Sequence, residues 1–216
     1  MSLIKREIAR ILLDLNAVSL RVNPPFTWAS GRFSPIYCDN RLIISSPSKR
    51  VAVAEAFVDL IKKEGWDPDV IAGTATAGIP HAAFVAHLMN LPMIYIRSSS
   101  KSHGKENKIE GTLNKDQKVV LIEDLISTGK SSIAAGEGVV DAGGNLLGIA
   151  AIFSYGLPIA EERFKEAGMN FNMISDFAAL MDEAKERNLL SQDEADTIAK
   201  WQIDPANWSK DRGGEG

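Results

Sequence analysis

The chain has 216 residues, 45% of them hydrophobic and 24% charged, with a formal net charge of −4. This is the composition of one globular α/β domain with a small accessory piece, or at most of two small domains. The acidic balance excludes nucleic-acid binding by bulk charge, and the single cysteine, Cys38, excludes an internal disulfide and a cysteine-based zinc site. No run approaches the roughly 20 apolar residues of a membrane helix, and "MSLIKREIARILLDL" mixes acids and bases at helical spacing instead of forming a leader. The expectation is a cytoplasmic protein with no membrane or nucleic-acid partner.

Leu3, Ile4, Ile8, Ile11, Leu12 and Leu15 recur at helical spacing and predict an amphipathic helix over 2–17. "FTWASGRFSPIYCDNR" (26–41) carries short β-prone pieces around a Ser30–Gly31 turn, a hairpin or a pair of short strands, with Phe26, Trp28 and Phe33 assigned to packing. From Pro47 a helix runs to about Glu64 and stops at "GWDP". The apolar runs "DVIAG", "LPMIYI", "QKVVLIED", "LLGIAAIFS" and "FNMIS" then alternate with helices over 79–89, 129–142 and 158–167.

That alternation predicts an α/β fold, a central parallel sheet flanked by helices and joined by right-handed crossovers. The strands are apolar on both faces, as a sheet covered on both sides requires. Residues 176–201 read as two helices broken near "NLLSQDE", and "DRGGEG" as a disordered tail. The expected division is a single domain over 1–216. A small hood forms from the N-terminal and C-terminal segments (about 1–45 and 176–210), the core covers 46–175, and a mobile lid covers 98–109.

The chemistry concentrates in "VVLIEDLISTGKS" (119–131). In an open parallel sheet ligands bind beyond the carboxyl ends of the strands, and Glu123 and Asp124 end the most apolar strand. Adjacent carboxylates can accept hydrogen bonds from a vicinal diol or hold Mg²⁺ through water. The turn Ser127, Thr128, Gly129, Lys130, Ser131 then opens into a helix whose first N–H groups favour a phosphate. Diol and phosphate together suggest a sugar phosphate. The stretch is not a Walker A loop, because the spacing before "GKS" places Asp124 where a glycine is needed.

This stretch resembles the phosphoribosyl pyrophosphate (PRPP) motif of the type I phosphoribosyltransferases. Three further segments in the same chain order, "SGRFSPIYCDNR" (30–41), "VIAGTATAGIPHA" (70–82) and "YIRSSSKSHGKENKIEG" (95–111), resemble the orotate phosphoribosyltransferases in the form found in many Gram-positive-type bacteria. The resemblance implies transfer of 5-phosphoribosyl from PRPP to orotate, giving orotidine 5′-phosphate and pyrophosphate with Mg²⁺, a step of pyrimidine synthesis. A purine phosphoribosyltransferase would share 119–131 but not the first or third segment. A PRPP-responsive regulator would need a basic face or an added nucleic-acid module.

By the resemblance, Glu123 and Asp124 hold the ribose hydroxyls. Leu125, Ile126, Ser127, Thr128, Gly129, Lys130 and Ser131 form the 5′-phosphate turn, and Thr76, Ala77 and Gly78 the pyrophosphate loop. The small residues of that loop suit either backbone approach to pyrophosphate or close helix–strand packing. Arg97, Lys101 and His103 match PRPP-contacting positions in a twelve-residue polar stretch, which reads as a solvated loop or as a lid. In the family the lid reaches the neighbouring subunit's site, which implies a homodimer. Lys101, His103 and Asp124 are the catalytic candidates, His103 as a proton donor if it titrates near neutrality. Ser127 matches an orotate-contacting position. Arg41 suits a bidentate pair with the orotate carboxylate or a structural ion pair, and Tyr37 faces the pyrimidine or belongs to a strand core. The chain departs from the pattern at Ala77, where many relatives carry Lys, at Ala29, where some carry Lys, and near Tyr155, where some carry Arg.

Overall fold

The computed structural model describes residues 3–97 and 108–216. Helix α1 (Leu3–Asp14) buries Ile8, Ala9, Ile11 and Leu12 along one stripe, as its spacing requires. Strand β1 (Val18–Leu20) pairs antiparallel with β4 (Ile36–Cys38), while β2 (Phe26–Thr27) and β3 (Phe33–Ser34) between them form a hairpin. Both readings of 26–41 thus hold in part. The hairpin turns at Gly31, whose φ of +81° favours glycine. A 3-10 turn, Asn40–Ser45, leads into α2 (Pro47–Lys63).

The central sheet has six strands in the order β10–β9–β8–β5–β6–β7. They are β5 (Val70–Thr74), β6 (Met93–Ile96), β7 (Ile109–Glu110), β8 (Lys118–Ile126), β9 (Asn145–Ser154) and β10 (Phe171–Asp176). All neighbours run parallel except β6 and β7. The antiparallel edge strand β7 was not anticipated; two residues are too few to show any periodicity. Its first residue, Ile109, also shortens the stretch expected as a lid, of which 98–107 lie outside the described residues.

Alternation along β8 sorts the core into two layers. Val120 and Ile122 join the cluster that contains Phe57 and Ile61 of α2 and Ala82 and Val85 of α3 (Gly78–Met89). Val119 and Leu121 join the opposite cluster, with Ala135 and Val139 of α4 (Lys130–Asp141) and Phe164 of α5 (Pro158–Glu166). Both faces are therefore covered, and the strands read as unbroken apolar runs. The strand order reverses between β5 and β8, so the loops leaving these two strands open the crevice where α/β sheets bind ligands.

After β10 come α6 (Phe177–Glu186), α7 (Gln192–Ile203) and α8 (Pro205–Lys210). The break near "NLLSQDE" is a capping box, in which Ser191 and Glu194 satisfy each other's backbone N–H groups. Trp201 of α7 is fully buried and meets the Tyr155 ring edge-on at 5.5 Å. The tail did not follow expectation. Ser209 Oγ accepts from the Phe33 N–H (2.8 Å) and donates to the Glu215 carbonyl, and the Glu215 N–H reaches the Gly31 carbonyl (3.2 Å). Glycine-rich composition suggested disorder, but Gly214 lies against the Phe33 ring so closely that a larger residue would collide with it.

One charged cluster ties α1 to α6. The Glu183 carboxylate, 2% exposed, accepts from Arg187 Nε (2.7 Å), Arg10 Nε (3.0 Å) and Arg6 Nε (3.1 Å). The Arg10 hydrogen bond, followed by those of Arg187 and Arg6, holds its pKa down to about 2. Because this lies below the unfolded value of about 4.3, the stabilisation is complete above that value and is lost as pH falls toward 2. Glu183→Gln should cost up to about 3 kcal/mol at neutral pH. In denaturant titrations the gap between variant and wild type should close between about pH 4 and 2; a gap independent of pH would contradict this account.

Candidate active site

Strand alternation gives the two acids different tasks. Glu123 follows Val119 and Leu121 to the α4 face, where its Oε2 accepts from Ser132 Oγ (2.9 Å) and its Oε1 from the Asp124 N–H (3.1 Å). It is 4% exposed; burial, then the neighbouring Asp124 charge, pushes its pKa up. Asp124 follows Val120 and Ile122 to the other face, where it lines the cleft. Burial raises its pKa as well. Of the expected ribose-binding pair, Asp124 thus presents itself more openly, and Glu123 is turned toward α4. Ser132, one residue beyond the recognised turn, was missed.

The turn after β8 places Gly129 at φ +77°, and a Cβ there would stand 2.9 Å from the Phe164 ring. No side chain caps α4, so its first N–H groups face outward. With the helix dipole they form an anion cradle. Arg163 Nη1 donates to the Thr128 carbonyl (3.1 Å) and pins the turn, another contact that sequence spacing does not reveal. Ile126 is fully buried and its carbonyl accepts from the Tyr155 N–H (3.2 Å), so its side chain does not enter the cleft.

Across from this turn, the loop after β5 contains a cis peptide between Ala75 and Thr76. Thr74, Ala75, Thr76 and Ala77 line a cavity of about 330 Å³ whose other wall is Glu123, Asp124, Leu125, Ser127, Thr128, Gly129 and Ser131. Gly78 serves the packing role instead: a Cβ there would lie 2.5 Å from the Ile122 carbonyl oxygen. An adjoining cavity of about 440 Å³ shares Thr74, Ala75, Thr128 and Ser131 with the first. It adds Arg97, Lys108 and Lys130. Arg97 Nη1 pairs with Glu110 Oε1 at 3.2 Å. Lys101 and His103 lie outside the described residues.

The base-side candidates come from the segment 37–41. Arg41 is 63% exposed at its side chain and binds Asp39 through both Nε (2.6 Å) and Nη2 (2.8 Å), the structural ion pair that was one of its two readings. Tyr37 is 43% exposed, its ring 5.7 Å from that of Phe26, so it is no core residue. Where an arginine stands in some relatives, Tyr155 is instead buried, stacked on Trp28 at 5.8 Å. Asn40, which the motif reading passed over, donates from Nδ2 to the Asp124 carbonyl at 2.6 Å.

An acidic strand end, an uncapped helix start and a small-residue loop meeting in one crevice define a protein that binds a phosphorylated sugar. Residues 45–173 match the phosphoribosyl transferase domain. The chain is 48% identical over 210 residues to the orotate phosphoribosyltransferase of Enterococcus faecalis, covering 97% of this chain and 100% of that one. It is 50% identical over 196 residues to that of Staphylococcus saprophyticus (91% and 97%). In structure it is similar to Leishmania donovani UMP synthase, with a TM-score of 0.78 and 27% identity over 92% of this chain, which spans 42% of that longer chain. The chain belongs to the orotate phosphoribosyltransferases, a branch of the phosphoribosyl transferase family.

Gly78→Ala tests the close approach of α3 to β8. Overpacking against the Ile122 carbonyl should cost roughly 1–3 kcal/mol in denaturant unfolding and widen the crevice. An unchanged unfolding midpoint would mean that the loop moves freely away from the strand.

Proposed function

We propose that the smaller cavity holds PRPP with its ribose hydroxyls on Asp124, its 5′-phosphate in the turn Ser127–Ser131, and its pyrophosphate over Thr76, Ala77 and Gly78 toward Arg97 and Lys130. Orotate then lies against the segment that carries Tyr37 and Arg41, with Ser127 beside it. The reaction is transfer of 5-phosphoribosyl to orotate, giving orotidine 5′-phosphate and pyrophosphate for pyrimidine synthesis. The observation that carries this reading is the single cavity shared by the acidic strand end, the uncapped α4 and the loop after β5.

Orotate is already anionic and nucleophilic, so the chain needs no strong base. Its task is to align the orotate nitrogen with the anomeric carbon while pyrophosphate departs through an oxocarbenium-like state. Asp124 fixes the ribose through its hydroxyls, and N–H donors at the start of α4 hold the phosphate end. Cations stabilise the leaving group where charge develops. Lys101 and His103 join them from the lid, which closes over the neighbouring subunit's site in a homodimer and excludes water.

Mg²⁺, when bound, neutralises ribose and pyrophosphate oxygens. Among the described residues no group of three His, Cys, Asp or Glu side chains can hold a metal. Asp124, which lines the cavity, would hold such an ion through water. The segments 1–45 and 176–210 act as the hood over the 46–175 core, and the reaction runs in the cytoplasm.

Orotate consumption followed by ultraviolet absorbance, with adenine, hypoxanthine and uracil assayed in parallel by product analysis, tests the base. Turnover confined to orotate is expected, and turnover of a purine instead would overturn the base assignment. Asp124→Asn removes a charged acceptor and should raise the PRPP KM roughly 10- to 100-fold. Lys101→Ala should lower kcat by at least about tenfold with a smaller change in PRPP affinity, because its contact strengthens as charge develops. Unchanged PRPP affinity in the first variant, or unchanged kcat in the second, would remove the corresponding role.

A further inference from the structure

Asn40 sits where three binding segments meet. It is fully buried, begins the 3-10 turn that follows the base-side strand β4, and donates to the Asp124 main-chain carbonyl 84 positions along the chain. From the third side, His81 of the helix that follows the pyrophosphate loop packs against the Asn40 backbone. His81 is 1% exposed, and among the described residues neither ring nitrogen has a partner within hydrogen-bond geometry. Burial holds its pKa down to about 4, so it stays neutral at physiological pH and adds no cation to the junction.

A carbonyl oxygen accepts only, so the side chain facing Asp124 must donate. The charged groups around it are negative: Asp124 from β8 and Asp39 from its own segment, with Arg41 drawn off by Asp39. Cys38, also beside Asn40, is held as a neutral thiol by burial and by Asp124. An amide is the side chain of this length that donates without bringing a further negative charge.

We propose that Asn40 is a positioning residue for the reaction: through its bond to the Asp124 carbonyl it fixes the ribose-binding carboxylate relative to the base-side segment 37–41 and to the helix after the pyrophosphate loop. The inference rests on the ribose role of Asp124 proposed above. Asn40 touches no substrate; it acts through Asp124, and its removal shows chiefly in binding.

Two variants separate this role from a general loss of packing. In Asn40→Asp the ionised carboxylate cannot donate and lies beside Asp124 and Asp39, whereas the protonated form regains an O–H donor of nearly the same shape. Burial and those charges raise the pKa of such a carboxyl. The PRPP KM, as a ratio to wild type at the same pH, should exceed tenfold at pH 8 and fall severalfold toward pH 6. Asn40→Ala should raise the PRPP KM about tenfold at every pH, with the larger part of the change in KM and not in kcat. A flat pH ratio for Asn40→Asp in folded protein, or an Asn40→Ala defect confined to kcat, would overturn the proposal. If Asn40→Asp does not fold at pH 8, the Asn40→Ala comparison decides alone. PRPP binding by calorimetry keeps the test independent of the base: if wild type binds PRPP but does not turn over orotate, the base assignment fails while the Asn40 result still stands.

Discussion

The site depends on a strand that ends in two carboxylates bordering one cavity, of which Glu123 is buried and braced and Asp124 stands more open. A β-strand sends successive side chains to opposite faces, and Val119 to Ile122 of β8 follow that alternation up to the two acids. Glu123 is thereby committed to the α4 layer, where Ser132 satisfies it, and Asp124 to the layer that holds Asn40. Burial raises the pKa of both acids, and the Asp124 charge raises that of Glu123 further, so Glu123 serves as an internal brace while Asp124 stays the more open of the two. The brace also ties the strand to the first turn of α4, so the acidic strand end and the start of that helix are fixed against each other by a buried hydrogen bond.

The extent to which this was legible follows from range along the chain. The alternation of apolar runs with helices is a local pattern, and it located every long strand of the sheet and the helices between them to within a few residues. The turn after β8 is local as well: Leu125, Ser127, Thr128, Gly129 and Ser131 line one cavity, while Ile126 is buried and Lys130 borders the adjoining one. What escaped were contacts set by distant partners. Ser132 was too near the motif to be noticed as separate from it, and Arg163 reaches Thr128 from another helix. Asn40 meets Asp124 only because the sheet places the end of β8 under the 3-10 turn. No periodicity encodes such meetings. The edge strand β7 and the folded tail failed for the opposite reason: their sequences are too short or too glycine-rich to outweigh a prior for loop, and tertiary contact decided.

The departures from the family pattern change how the base side is built. With alanine at 29 and tyrosine at 155, the wall carries no cation at either position. In its place Trp28, Phe153, Tyr155 and Trp201 form a continuous aromatic cluster with ring separations of 5.5 to 6.0 Å. Such a cluster stiffens the hairpin through area and ring geometry and contributes no charge. Ser209 and the residues after it reinforce the hairpin from behind. On the proposed function, recognition of an anionic ring by this wall would rely on hydrogen-bond donors and on cations at the rim, where Arg41 already pairs with Asp39 through Nε and Nη2.

An acidic protein that binds a highly charged anion has to concentrate its positive potential. The loop 75–78 supplies no cationic side chain, since Ala77 stands where many relatives have lysine. The compensation lies in the adjoining cavity, where Arg97, Lys108 and Lys130 border the same threonines and serines as the smaller one. Each of these cations is held at a strand or helix end and not within the loop itself. Glu110 takes part of the Arg97 charge. That pair is partly exposed and of the weak kind that a multiply charged anion can displace. On the proposed function, a bound pyrophosphate would therefore draw on Arg97 by exchange with Glu110, beside Lys108 and Lys130.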